Sequence, residues 1–370
     1  MTVPILDLSI QHDALQPQIN DKVTEVIASG KFILGPYVEE FEQKLAEFHN
    51  AKHAIGVSSG SDALLVSLMA LGIKAGDEVI TTPFTFFATA GAIARLGAVP
   101  VFIDIDPKTF NLEHQKIEPA ITHRTKAIMP VHLFGLPTNM DPIMQLAEKH
   151  DLKVVEDAAQ SIGAMYTDKM ACTLGHCGCL SFYPSKNLSC MGDAGAIITN
   201  DDELAEKLRQ LRNHGMNAQY KYASLGGNFR IDAIQAAILS IKLDHLNEWT
   251  EKRIAHAQRY NRHLEDLAVA TPHEYGYRKH VFNQYTIRVH GGARDGLMHH
   301  LSGSGIGCRV YYPSPLHVES CFEYLKCLPG SLPMAEEAAT EVLSLPVFPE
   351  MTREQQDVVI DCIKDFFTSE

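Results

Sequence analysis

From residue 54 onward the chain alternates between two rhythms. Short runs, most of them largely apolar, at 54–57, 78–82, 99–105, 126–133, 153–157, 179–183 and 194–199 have the length of strands. Between most of them, apolar residues recur at three- and four-residue steps over 62–71, 89–96, 140–150 and 204–212, the spacing of one helix face. Strands that are apolar on both sides and alternate with helices predict a mostly parallel, seven-stranded sheet covered on both faces. In such α/β sheets, ligands lie just beyond the carboxyl ends of the strands.

Outside this region the pattern changes. Residues 1–50 read as an N-terminal arm followed by helices. The turn Gly30-Lys31-Phe32-Ile33-Leu34-Gly35-Pro36 carries an exposed apolar tip, and after it Val38, Phe41, Leu45 and Phe48 recur at helical steps. The tip suits either a local staple or a surface for a partner subunit. A long helical stretch over 230–267 connects to a second, smaller part. There, 282–289 and 307–312 read as strands, and 334–342 and 353–367 as helices. The predicted division is a large domain at 1–245, arm included, and a smaller α+β C-terminal domain at 246–370. No internal repeat or low-complexity tract is present.

Composition narrows the function. The chain has 370 residues, 45% apolar and 21% charged, enough for one large core and a smaller one. A formal net charge of −13 gives no electrostatic footprint for a nucleic-acid partner, so an anionic ligand needs a local site. No run is long and apolar enough for a membrane span. The start, Met1-Thr2-Val3-Pro4-Ile5-Leu6-Asp7, lacks both the basic opening and the apolar core of a signal peptide. A cytoplasmic protein with reduced cysteines is expected. Cys172, His176, Cys177 and Cys179 cluster, but their spacing matches no common zinc pattern, and Cys179 falls inside a strand-like run. No metal is expected.

Candidate chemistry concentrates in Ser181-Phe182-Tyr183-Pro184-Ser185-Lys186-Asn187 and the loop Gly192-Asp193-Ala194-Gly195 behind it. A lysine in a turn is ordinarily a solvated charge. Just past an apolar strand it can instead sit in a crevice, where lost hydration lowers its pKa, as amine chemistry on an aldehyde requires. Asp157 ends the run 153–157. It suits a helix cap, or a buried carboxylate needing a cationic partner such as a protonated pyridine nitrogen; Gln160 follows closely enough to reach the same ligand. Ser58-Ser59-Gly60-Ser61-Asp62 lies between a strand and a helix. It suits an ordinary N-cap, or a phosphate site in which small residues admit a ligand to the first-turn N–H groups. The aromatics of Thr82-Pro83-Phe84-Thr85-Phe86-Phe87 are core residues or a ring face for a planar cofactor. No dinucleotide or NTP glycine motif occurs. A phosphate cradle, a flat ring surface, an acid for a pyridine nitrogen and a lysine for an aldehyde match the four features of pyridoxal 5′-phosphate (PLP).

These residues, together with Glu156-Asp157-Ala158-Ala159-Gln160, Asn228-Phe229-Arg230-Ile231-Asp232 and Leu345-Pro346-Val347-Phe348-Pro349, carry a resemblance to the DegT/StrS-type sugar aminotransferases. It covers almost the whole chain. The resemblance implies the PLP-dependent transferase fold of type I, that of aspartate aminotransferase. By it, Lys186 is similar to the catalytic lysine that bonds the cofactor's aldehyde, and Asp157 to the partner of the pyridine nitrogen. Gln160 resembles the residue near the ring hydroxyl, and Phe86 the one stacked on the ring. Gly60, Ser61 and Ser181 resemble phosphate ligands. Asn228 resembles a phosphate ligand donated by a second subunit, with Arg230 close by. A homodimer with shared active sites is implied. Ala194 stands where members often have glycine. Some members carry histidine in place of the lysine and act as dehydratases, against which Lys186 argues.

The resemblance further implies transfer of an amino group from L-glutamate to a keto-sugar nucleotide. The stretch Arg309-Val310-Tyr311-Tyr312-Pro313-Ser314-Pro315-Leu316-His317 resembles that of members that aminate C3 of a 3-keto sugar. A UDP-linked 3-keto sugar is expected ahead of a dTDP-linked one, with a 4-keto sugar as the alternative. Tyr312 and His317 are expected at the sugar, or else as packing residues of the smaller domain. A regulatory homologue that had kept the fold without the chemistry would have lost Lys186 or Asp157.

Overall fold

The computed structural model describes residues 1–273 and 275–368. Seven strands form the main sheet: β1 (His53–Val57), β2 (Glu78–Thr81), β3 (Val99–Phe102), β4 (Thr125–Ile128), β5 (Lys153–Asp157), β6 (Cys177–Ser181) and β7 (Gly195–Thr199). Their order is β1-β7-β6-β5-β4-β2-β3. Only β7 runs against its neighbours, β1 and β6; every other pairing is parallel. The expected α/β architecture with a mostly parallel seven-stranded sheet is therefore present.

The alternation within each strand explains the layers. Ile55, Val155, Cys177, Cys179 and Ile197 point to one face, against Leu64, Leu65 and Leu68 of α3 (Gly60–Ala70) and Leu208 of a later helix (Asp202–Arg212). Their neighbours Ala54, Leu180, Ala196 and Ile198 point to the other. There they meet α2 (Pro36–Phe48), the helix after α1 (Ser9–Ser29), through Phe41 and Leu45, and the helix Ala233–Leu243 through Ala236, Ala237 and Leu239. Successive strand side chains take opposite faces, so an uninterrupted apolar run needs a cover on each side. Each large side chain so buried contributes ~1.5–3 kcal/mol. The cysteines serve this packing: Cys177 and Cys179 lie on the α3 face, Cys172 on the other, and burial pushes all three thiols up. Among the described residues, no group of His, Cys, Asp or Glu is disposed to hold a metal ion. None of their helices is long and apolar enough to cross a membrane.

A second core is built on Ala257, Tyr260 and Leu264 of the helix Leu246–Leu264, the strands Tyr285–Val289 and Val342–Leu345, and the helices Arg294–Gly303 and Arg353–Thr368. Val3, at the chain start, is buried in this core and bridges to Ile306. Two local expectations give way here. The stretch 230–267 breaks at Asp244-His245 into two helices, because the first half packs on the main sheet while the second turns into this core. The predicted strand at 307–312 reduces to one bridge, Arg309 to Ser344. Tyr311 and Tyr312 leave the sheet there and pack beside Phe84.

One buried ion pair ties the edge of the main sheet to its helices. Glu42 of α2 accepts from Arg212 and, at 2.7 Å, from the backbone N–H of Gly56 in β1; Arg212 also donates to the Gly56 carbonyl at 3.0 Å. The Arg212 and Glu42 side chains are only 7% and 13% exposed, so removing one partner strands the other without water. Glu42→Ala should lower the unfolding free energy by roughly 3–5 kcal/mol. Denaturant titration checks this; a loss within the usual surface-mutation range of about 0.5 kcal/mol contradicts it.

Candidate active site

The carboxyl ends of β1, β5 and β6 open on one side of the sheet, and the loops beyond them border a cavity of about 650 Å³. Gly60, Ser61, Phe86, Asp157, Gln160, Ser181, Lys186 and Tyr312 all line it. So do Thr85, Asp193, Gln284 and Tyr311, to which the sequence had assigned no part in the site. Of these, Thr85 sat inside a motif read for its aromatics, and Gln284 inside the run 282–289 read as a strand, which starts only at Tyr285.

The floor is a glycine cradle. Ser59 caps α3, its hydroxyl accepting from the Asp62 N–H at 3.1 Å, so the helix starts at Gly60 with its N–H groups toward the cavity side. The N-cap and phosphate readings are thus compatible. A side chain at Gly60 would meet Ser181 Cβ at 2.6 Å, and one at Gly195 would meet the Ser59 carbonyl carbon at 2.5 Å. Only glycines let the helix start, β6 and β7 converge this closely. The space left, with the positive end of the helix dipole and two serine hydroxyls around it, fits a phosphate.

Asp157 is fixed through its backbone. Its N–H donates to the Pro130 carbonyl at 2.9 Å, and its carbonyl accepts from the His132 N–H at 3.0 Å. Its side chain is buried; burial pushes the carboxyl up, and hydrogen bonds from Thr89 and Ala159, then the charges of Lys186 and His132, oppose that. Lys186 follows the turn closed by its own N–H on the Tyr183 carbonyl at 2.8 Å. Desolvation lowers its ammonium pKa to about 8, partly offset by Asp157. Gln160 is clamped on both sides of its amide: its oxygen accepts from the Phe134 N–H at 2.7 Å, and its nitrogen donates to the Tyr312 hydroxyl at 3.4 Å. Phe86 is 60% exposed, a ring face open toward the cavity and not a core residue.

The remaining predicted residues lie elsewhere. Asn228 and Arg230 border an adjoining depression with Ser58, Gly192 and Gln235; Asp193 borders both hollows. His317 does not reach the cavity. It is 1% exposed, and its Nε2 lies 3.0 Å from Glu336, which also holds the Gly330 N–H. The expectation of His317 at the sugar gives way to packing, because the short helical turn Leu316–Val318 directs it inward.

The sequence pattern that defines the DegT/DnrJ/EryC1/StrS aminotransferase family matches residues 13–364. The chain belongs to this family. It is 52% identical over 370 residues, with 99% of each chain covered, to a Geobacillus stearothermophilus protein named a pleiotropic regulatory protein. It is 43% identical over 347 residues, 94% of this chain and 95% of the other, to the Pseudomonas aeruginosa UDP-2-acetamido-2-deoxy-3-oxo-D-glucuronate aminotransferase. The crystal structure of Streptomyces venezuelae DesV superposes with a TM-score of 0.96 at 40% identity, covering 99% of this chain and 98% of that one. The family is one of PLP-dependent transaminases, and the cradle, the buried carboxylate and the buried amine on this chain fit that cofactor.

The lowered Lys186 pKa has a measurable sign. A neutral amine is needed to attack an aldehyde, and its fraction rises as pH passes the amine's pKa. Covalent uptake of PLP by the cofactor-free protein should therefore rise with pH and level off above about 8. Stopped-flow absorbance across a pH series checks this. A rise that continues to the ordinary lysine range near 10.5 contradicts a desolvated Lys186.

Proposed function

We propose that this protein uses PLP to move an amino group from L-glutamate to C3 of a nucleotide-linked 3-keto sugar, with UDP the favoured carrier. In this reading residues 1–245 form the cofactor-binding domain and 246–370 the smaller one. The protein acts as a homodimer, each subunit lending Asn228 and Arg230 to its partner's site. The observation that carries the reading is a single cavity bordered by Lys186, Asp157 and the Gly60–Ser181 cradle. A chain that had kept only a regulatory role would have no reason to keep a buried amine and a buried carboxylate facing one hollow.

PLP supplies an aldehyde carbon that takes up the amine and a ring that accepts electrons from the adjoining carbon. The chain's own residues do the rest. Gly60, Ser61 and Ser181 bind the phosphate and fix the ring's position. Phe86 covers one face of the ring, and Gln160, held by Phe134 and Tyr312, presents its amide at the edge near the ring hydroxyl. Asp157 would accept a charge-assisted hydrogen bond from a protonated ring nitrogen. With the cofactor bound, Lys186 Nζ would serve as the proton carrier, taking the proton from the donor's α-carbon, a task its lowered pKa suits. The same Nζ runs the steps in reverse when the keto sugar arrives, so two half-reactions share one site and ping-pong kinetics follow. Tyr311, Tyr312 and Gln284 border the same cavity, which supports their meeting the sugar in this reading. The C3 assignment rests on the stretch through Tyr312-Pro313-Ser314-Pro315-Leu316, and draws support from the P. aeruginosa relative, which is named for a UDP-linked 3-oxo sugar.

Purified holoprotein mixed with glutamate should lose the absorbance of the aldehyde form of its cofactor. It should regain it only with a 3-keto sugar nucleotide, and faster with the UDP than with the dTDP carrier. Recovery with a 4-keto sugar alone would contradict the C3 assignment. Lys186→Ala should lower kcat by at least about 10³-fold, since it removes both the attachment point and the proton carrier. Shared sites have their own test. Lys186→Ala and Asn228→Ala chains, each impaired alone, should regain about a quarter of wild-type activity when unfolded and refolded together, because one site of each mixed dimer is then intact. No recovery with mixed dimers present contradicts sharing.

A further inference from the structure

Asp157 is held by an inner hydrogen-bond chain to which the reaction steps above give no role. Thr89, in the first turn of the helix Ala88–Arg95, places its hydroxyl 2.7 Å from Asp157 Oδ2. Thr85, one turn earlier and beside Phe86 on the cavity wall, places its own hydroxyl 3.0 Å from that of Thr89. Thr85, Thr89 and Asp157 are 3%, 0% and 4% exposed, so water does not substitute for these bonds. The other carboxylate oxygen has a longer bond, from the Ala159 N–H at 3.2 Å.

The chain has a direction. A hydroxyl has one proton to give and lone pairs to accept with. When Thr89 donates to the carboxylate, its oxygen is free to accept from Thr85. Donation then runs from Thr85 to Thr89 to Asp157 and ends on an acceptor. That order suits an ionised carboxylate and opposes a proton on Oδ2. Of the other influences on Asp157, Lys186 and His132 favour its charge, while burial itself disfavours it.

We propose that Thr85 and Thr89 are positioning residues that keep Asp157 ionised, so that the proton shared between Asp157 and the cofactor's ring nitrogen stays on the nitrogen. This rests on the reading above that Asp157 faces that nitrogen. Without the Thr89 donor the carboxylate is the stronger base. The shared proton then passes from nitrogen to the Asp157 oxygen, a charged pair becomes a neutral one, and no other bond changes. A neutral ring is the poorer electron acceptor. Because Thr85 adjoins Phe86, the same pair also fixes the ring-covering face relative to the acid.

The test uses full-length holoenzyme reconstituted with PLP carrying ¹⁵N in the ring. In the wild type the nitrogen signal lies in the protonated-pyridine range. Thr89→Val keeps the side-chain shape and removes the hydroxyl; its signal should move toward the neutral-pyridine position. Its kcat should fall about tenfold, the worth of a hydrogen bond to a charged group, with KM for the sugar nucleotide little changed. Thr89→Ser should restore both. Thr89→Ala should show the same displaced signal and keeps the test available should the valine protein fail to fold. A wild-type nitrogen position in folded Thr89→Val or Thr89→Ala holoenzyme overturns the proposal. A wild-type nitrogen that is already neutral also overturns it, whereas a nitrogen signal that Asp157→Ala leaves unmoved overturns the placement of Asp157 at the ring, and this proposal with it.

Discussion

An amine and a carboxylate taken out of water into one cavity set the terms for the rest of this structure. Desolvation pushes each toward its neutral form: Lys186 down to about 8, Asp157 upward. For the amine that push is useful, since the neutral form is the nucleophile. For the carboxylate it is a liability, since a neutral acid cannot hold a protonated ring nitrogen. The fold answers with unequal support. For Lys186 the push is offset by Asp157 alone, whereas for Asp157 it is offset by the Thr89 hydroxyl and the Ala159 N–H first, and then by Lys186 and His132. One burial, applied to two groups of opposite sign, gives them different tasks.

The sheet makes that burial possible. β5 ends at Asp157 and β6 at Ser181, side by side and parallel, so the acid and the turn that carries Lys186 emerge from neighbouring strand ends. The reversed β7 brings Gly195 against the start of α3, and that contact, closed to any larger residue, sets the cradle beside them. The second core contributes through Tyr285–Val289 and what precedes it. Asn283 donates to the Ser185 carbonyl and to Asn187, so the lysine's turn is held from the far side of the cavity as well.

Much of this was legible in the sequence, for stated physical reasons. The strand Lys153–Asp157 was found at its true limits, because the β-branched pair Val154-Val155 marks its centre and the two carboxylates Glu156-Asp157 mark its carboxyl end. The glycine-serine turn and Lys186 each have an ordinary reading alone, as an N-cap and a solvated charge, and stood out only through their joint placement past strand ends. Thr89 was not. A threonine at a helix start is common, and its partner lies 68 residues on in a different strand. Likewise, nothing local marks the break at Asp244-His245, which follows from the helix having two cores to satisfy. His317 followed a motif into the wrong place, because the turn at Leu316 buries it against Glu336. Pattern identifies elements and chemically costly residues; it does not show which side chains meet across the sheet.

Lys186, and no other lysine, should react with the cofactor's aldehyde in a site completed by Asp157. Borohydride reduction of the PLP-loaded protein followed by peptide mass spectrometry tests this most directly. One pyridoxyl group per chain is expected, on the peptide containing Lys186, and none on that peptide when position 186 is alanine. Pyridoxyl mass on a different lysine, or a loaded protein that reduction leaves unlabelled, would contradict it.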